Sequence, residues 1–115
     1  MTDPFDGTKD PRESVVLTLD ASLDLADGET LTGITKVDVT MASGTDPNAA
    51  SVVANPIING APITAKGKTL APGTAVQAEA VGGVSPAHYL IAITCTTSNP
   101  DKVLTLKGIL PVSAN

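Results

Sequence analysis

Aromatic residues are nearly absent from this chain. Among 115 residues there is one Phe (Phe5), one Tyr (Tyr89) and no Trp. Surfaces that stack bases or sugars are built from aromatic faces, so both kinds of site are poorly supplied. Cysteine is almost as scarce: Cys95 stands alone, which excludes a disulfide scaffold. Charged residues are few, at 17%, and the net charge is −5, so bulk charge does not draw the chain to nucleic acid or anionic lipid. No apolar run approaches the roughly 18 residues that cross a bilayer. The first thirty residues lack the basic start and long apolar stretch of a secretory leader. These absences predict a protein made in the cytoplasm, with no nucleic-acid partner and no membrane partner.

What is present is aliphatic. The 42% apolar fraction is mostly Ala, Val, Leu and Ile, accompanied by fifteen Thr. A mean hydropathy of +0.19 excludes a disordered chain, and the length suits one domain with its own core. Charge is unevenly placed. Residues 1–30 carry eight acids against Lys9 and Arg12, a balance of −6, whereas the remainder balances at +1. The acidic stretch reads as a solvated leading edge or as a dock for a basic partner.

The hydropathy repeats with period 2. Val15, Leu17 and Leu19 share one face of Ser14–Asp20, and Val37, Val39 and Met41 alternate with Lys36, Asp38 and Thr40. Tyr89, Ile91, Ile93 and Cys95 form one face of the clearest run, Tyr89–Thr97, and Lys102–Val112 is the last. Thr74–Val81 is a further strand, and Ser51–Ile58, broken by Pro56, reads as an edge or bulged strand. Asn59-Gly60, between Ile58 and Ile63, carries the strongest hairpin signal, because both residue types accept the positive φ of a type I′ turn. Lys66-Gly67-Lys68, Ala71-Pro72-Gly73 and Ser98–Asp101 are further turns. Pro47–Ala54 is the one helix candidate, weakened by its length and by Val52 and Val53. The pattern predicts an all-β chain, an immunoglobulin-like antiparallel β-sandwich of about seven strands with an extended N-terminal arm. The acidic arm is expected over residues 1–13, ordered only where a partner holds it, with the sandwich over 14–115. Residues 42–74 are a candidate inserted hairpin region within it.

Catalytic constellations do not assemble. His88 is the only histidine; Ser85 lies three residues away, but no motif supplies an oriented triad. Cys95, in an alternating apolar run, reads as a buried filler with nothing nearby to lower its thiol pKa. Asp20-Ala-Ser22-Leu-Asp24 imitates the start of a calcium loop, yet Leu25 and Leu31 stand where such a loop needs Gly and Glu. The acids of residues 1–30 lack the aromatic cleft of a glycosidase. Lys66-Gly67-Lys68 reads as an exposed basic hairpin tip. The chain is expected not to be an enzyme, with no catalytic, cofactor-binding or metal-ligating residue and no cofactor.

Three stretches carry a resemblance. Lys9-Asp10-Pro11 is followed by Asp20-x-Ser22-x-x-Leu25-x-x-Gly28-Glu29-x-Leu31, and then by Gly82-Gly83, Tyr89 and Ile91. In this order they resemble small virion proteins of tailed bacteriophages, of the fibre–tail adaptor kind. Members of that family commonly carry Trp where Ala21 stands and before the double Gly, and a third Gly where Pro86 stands. Ala42–Thr74 is longer and richer in Pro and Gly than the family pattern. The resemblance implies an immunoglobulin-like fold, many copies in a particle and no catalysis. It makes the expected function that of a non-enzymatic virion adaptor linking tail, connector or fibre proteins, with other virion proteins and copies of itself as partners. A capsid decoration protein is the nearest alternative. A carbohydrate- or ligand-binding module of a surface protein is the alternative from another class, and it requires an exposed aromatic platform or a calcium site.

Overall fold

The computed structural model describes residues 3–4, 9–65 and 67–113. Among the described residues, nine strands run in the order β1 (Asp3–Pro4), β2 (Ser14–Asp20), β3 (Leu31–Ser43), β4 (Val53–Ile58), β5 (Ile63–Ala65), β6 (Lys68–Leu70), β7 (Ala75–Val81), β8 (Ala87–Thr97) and β9 (Val103–Val112). A 3-10 turn, Ala49–Val52, precedes β4. It occupies the predicted helix candidate, and the β-branched Val52 and Val53 pass directly into strand.

The strands form a sheet ordered β1-β9-β8-β3, a second ordered β2-β7-β4, and the small hairpin β5-β6. Leu17, Leu19, Val76 and Ala80 from one large sheet meet Tyr89, Ile91, Ile93, Cys95, Leu106 and Leu110 from the other in one core. The chain is therefore an all-β sandwich. Its two layers reproduce the B-E-D and G-F-C strand orders of the immunoglobulin class, with no A strand beside β2 among the described residues. Period-2 patterning explains the layers. In β8 every odd-numbered residue from Ala87 to Thr97 is buried, whereas the even-numbered ones face outward or are half-buried.

Two expectations need correction. Asn59 and Gly60 do not form a type I′ turn, since neither has positive φ, and β4 and β5 do not pair with each other. The pairing lies one step later, where β5 meets β6, and Gly67 has φ of 73°. Asn59 is instead buried, for reasons given below. The second correction concerns the N-terminal arm. Where it is described, it is held by the domain itself: Asp3–Pro4 runs parallel to Gly108–Ile109 of β9, and Lys9 bridges Val112. Lys9 N–H donates to Pro111 O at 3.0 Å, and Ser113 N–H donates to Lys9 O at 2.8 Å. Phe5 and Lys66 lie outside the described residues.

Candidate contact surface

The residues that sequence reasoning weighed for chemistry are placed as follows. His88 Nδ1 shares a 2.8 Å hydrogen bond with Ser43 Oγ, across the β3–β8 pair. Cys95 is buried, and burial pushes its thiol pKa up, which leaves it inert. The acids of the calcium-like stretch do not converge. Asp20 Oδ1 accepts Ser22 N–H at 2.7 Å, while Oδ2 faces Lys68 Nζ at 3.3 Å. Among the described residues no three His, Cys, Asp or Glu side chains gather closely enough to hold a metal ion. Lys68, expected at a free hairpin tip, ties β6 back to the chain's own β2 end through Asp20 and Ser22.

Three polar clusters hold the loops. Asn59, only 4% exposed, sits where β4 leaves its sheet. Its Nδ2 donates to Ala61 O (3.1 Å) and Ala71 O (2.8 Å), and its Oδ1 accepts Thr74 and Ala75 N–H, both at 3.1 Å. All four amide bonds are thus satisfied inside the protein. The backbone adds a further bond from Gly73 N–H to Asn59 O at 2.8 Å. Gly73 has φ of +78°, and a Cβ there would meet Thr30 at 2.9 Å, so this approach requires glycine.

The second cluster surrounds Tyr89, the one large aromatic in the core and fully buried. Its hydroxyl accepts Val84 N–H at 2.8 Å and donates to Asp46 Oδ2 at 2.7 Å. The first of these bonds reaches back five residues, the tyrosine corner of immunoglobulin-like sandwiches. Burial, and then Asp46, raise the phenol pKa and keep it a donor. Lys9 forms the third cluster. It is 2% exposed, and its ammonium donates to Gly82 O at 2.6 Å and Asp10 O at 2.8 Å. Burial lowers its pKa, opposed by the nearby charges of Glu13 and Asp10. The Asn59 cluster has no sequence signal beyond residue type, since Asn before Gly is ordinary turn chemistry, and Lys9-Asp10-Pro11 does not reveal that the lysine is buried against Gly82.

Ion pairs fasten the acidic segment. Arg12 grips both oxygens of Asp10, each at 3.0 Å, and these bonds pull the Asp10 pKa down to about 2. Lys102 bonds Glu29 Oε1 at 2.6 Å and the carbonyl of Asp24, and Glu29 is lowered as a result. Burial opposes ionisation of Asp20, but the bonds from Ser22 and Lys68 outweigh it and hold its pKa down. Depressed folded-state values mean that the unfolded chain binds protons more readily. The stability these groups supply is therefore whole above the ordinary values of 3.8 and 4.5, and is lost as pH falls through the folded values, toward about 2 for Asp10. Urea midpoints measured from about pH 6 down to about pH 2 are expected to decline below about 4.5. The decline should be gradual, because exposed pairs contribute little each. A flat profile would mean that these pairs do not hold in solution.

Since no metal-binding cluster gathers among the described residues, the surface itself is the candidate site. The chain matches no protein-family model, no curated protein and no solved structure. Its large exposed apolar side chains, Val16, Leu23, Ile57, Val84 and Val103, are therefore the guide to function, and two places among them stand out. Leu23, 88% exposed, tips the loop between β2 and β3. That loop is rigidly tied by Asp20, Lys68, Lys102 and Glu29, so Leu23 is presented on a fixed mount. Val16 and Ile57 project from the outer face of the β2-β7-β4 sheet. Together with Asn55, Gln77, Ala78 and Glu79 they line a shallow groove of about 180 Å3. Asn55 Nδ2 donates to Glu79 Oε2 at 2.8 Å along its floor. Among the described residues no aromatic platform lies here, since Tyr89 is buried.

The sheet edges differ in their protection. The β9 edge is paired at Gly108–Ile109 by β1 and at Val112 by Lys9. β3 is interrupted by three register shifts and carries Lys36 and Asp38. β4 has a shift between Ala54 and Ile57, where Asn55 takes φ of 51° next to Pro56. β2 has none of these devices. It pairs with β7 over seven consecutive residues without a shift, and contains neither Pro nor a charge before Asp20.

Proposed function

We propose that the chain is a non-enzymatic structural protein of a tailed-phage virion, an adaptor that joins tail or connector proteins to fibre or other neighbouring virion proteins. The observation that carries this reading is the ordered run of three family-like motifs, each of which falls on a joint of the fold. Lys9-Asp10-Pro11 pins the N-terminal segment to the sheet, Asp20–Leu31 builds the tied loop that presents Leu23, and Gly82–Tyr89 forms the tyrosine corner. These segments set the shape of the domain's ends, which is what an adaptor offers to its neighbours.

The mechanism is passive. Tight single contacts favour exposed Trp, Tyr and Arg anchors, and this surface offers Leu23, Val16 and Ile57 instead. Modest contacts of that kind become strong when many copies act together in a symmetric particle. Partners are other virion proteins and further copies of the chain. Gold-conjugated antibody applied to particles of the phage that encodes this chain is expected to label a tail–fibre or head–tail junction. Label spread over the whole shell would favour capsid decoration, and particles without label would remove the virion reading.

A further inference from the structure

We propose that β2 is a self-association edge: two copies of the chain join antiparallel along Ser14–Asp20, fusing their β2-β7-β4 sheets into one six-stranded sheet. The inference names the strand through which the self-contact of the proposed function runs, and to that extent it rests on that reading. The fold argument behind it is independent. Immunoglobulin-like sandwiches place an A strand beside the B strand, which is β2 here. In this chain the preceding segment crosses to the other sheet, where Asp3–Pro4 and Lys9 lie along β9. The outer row of β2 backbone N–H and C=O groups therefore meets no strand among the described residues.

An edge of seven residues with no register shift and no charge before Asp20 is a template for another strand, whereas β3 and β4 are broken by register shifts and β9 is paired by β1 and Lys9 at Gly108, Ile109 and Val112. The sequence of β2 also says which strand fits. Antiparallel pairing centred on Leu17 sets Val15 opposite Leu19, so the buried face of each copy continues into the other. It sets Val16 opposite Thr18 on the outer face, and Ser14 opposite Asp20. No like charges meet directly, and a hydroxyl faces each carboxylate. In-register parallel pairing would place Asp20 against Asp20, and like charges at that position are unfavourable. The charge pattern thus selects an antiparallel second copy as the occupant.

Sedimentation equilibrium of the purified chain over a wide concentration range tests this. The wild type is expected to dimerise. The double variant Val16→Lys, Thr18→Lys brings two pairs of like charges together across the joint, and should raise the dimer dissociation constant about tenfold or more. The pair Val16→Lys, Thr18→Glu places opposite charges at the same positions and should restore dimerisation. All these changes are on solvent-facing positions of β2, and far-UV circular dichroism checks that each variant keeps its strands. A monomeric wild type, or a Val16→Lys, Thr18→Lys variant that dimerises like wild type, would overturn the inference. Either result leaves the virion reading standing, because that reading is tested on particles.

Discussion

Replacing Tyr89 with alanine is expected to remove about 3–5 kcal/mol of stability, the range for large aromatic truncations in a packed core. A domain of this size holds on the order of 6–17 kcal/mol in total, so the loss is a large fraction of it. The melting temperature should fall by about 10–20 °C. The reason lies in the composition. The core is otherwise made of Val, Ile, Leu, Ala and Cys, and its remaining side chains are too short to collapse into the space an aromatic ring leaves. Tyr89→Phe separates packing from hydrogen bonding. It keeps the ring but leaves Val84 N–H without its acceptor and Asp46 without its donor, at a cost of about 1–3 kcal/mol. Urea denaturation of both variants is the measurement. A Tyr89→Ala protein within about 1 kcal/mol of wild type would show that Tyr89 does not fill the core.

Asn59→Ala is expected to be nearly as damaging, although it deletes only a short amide. Ala75 N–H is buried and Thr74 N–H partly so, and both would lose their only side-chain acceptor. Ala61 and Ala71 are exposed residues, and water can replace the amide at their carbonyls. The loss should therefore be set by the two N–H groups, at about 2–4 kcal/mol. Asn59→Asp distinguishes this network from simple packing. Its second oxygen faces the carbonyls of Ala61 and Ala71 where an NH2 group belongs, so the charged form is opposed and the folded-state pKa is raised. A group of that kind stays protonated in the fold and costs stability as pH rises above the ordinary Asp value. Asn59→Asp should come closest to wild type below about pH 4 and fall away from it toward neutrality. A pH-independent deficit would contradict the hydrogen-bond assignment.

The strands were legible in the sequence because burial in a two-layer sandwich imposes period 2, and β2, β3, β7, β8 and β9 all keep it. Tyr89 stood out by scarcity alone, and the turn between β8 and β9 by its Asn and Pro. Asn59 was misleading. Asn-Gly between apolar runs reads as a turn, because that dipeptide tolerates positive φ, but tertiary contacts with residues 71–75 are stronger than that local preference and draw the side chain inward. Nothing local marks such a partner twelve or more residues away. The N-terminal segment misled in a similar manner. Acids, Pro and Gly without periodicity read as a free arm, while its attachment combines pairing with β9 and one lysine aimed at Gly82. The contact surface was the least legible part. Val16 belongs to an ordinary alternating strand, and its significance lies in what is missing beside β2, which only the three-dimensional strand order reveals.

The central claim is that this chain acts by contact, as a repeated part of a particle, and the copy number tests it most directly. Purified particles of a tailed phage carrying the coding sequence would be digested and quantified by mass spectrometry against isotope-labelled standards, with the major shell protein as reference. The account predicts that the chain is a stoichiometric component, in the low, fixed number that a ring around the tail allows and far below the shell protein. An abundance matching the shell would contradict the adaptor assignment in favour of decoration, and absence from the particle would contradict the central claim itself.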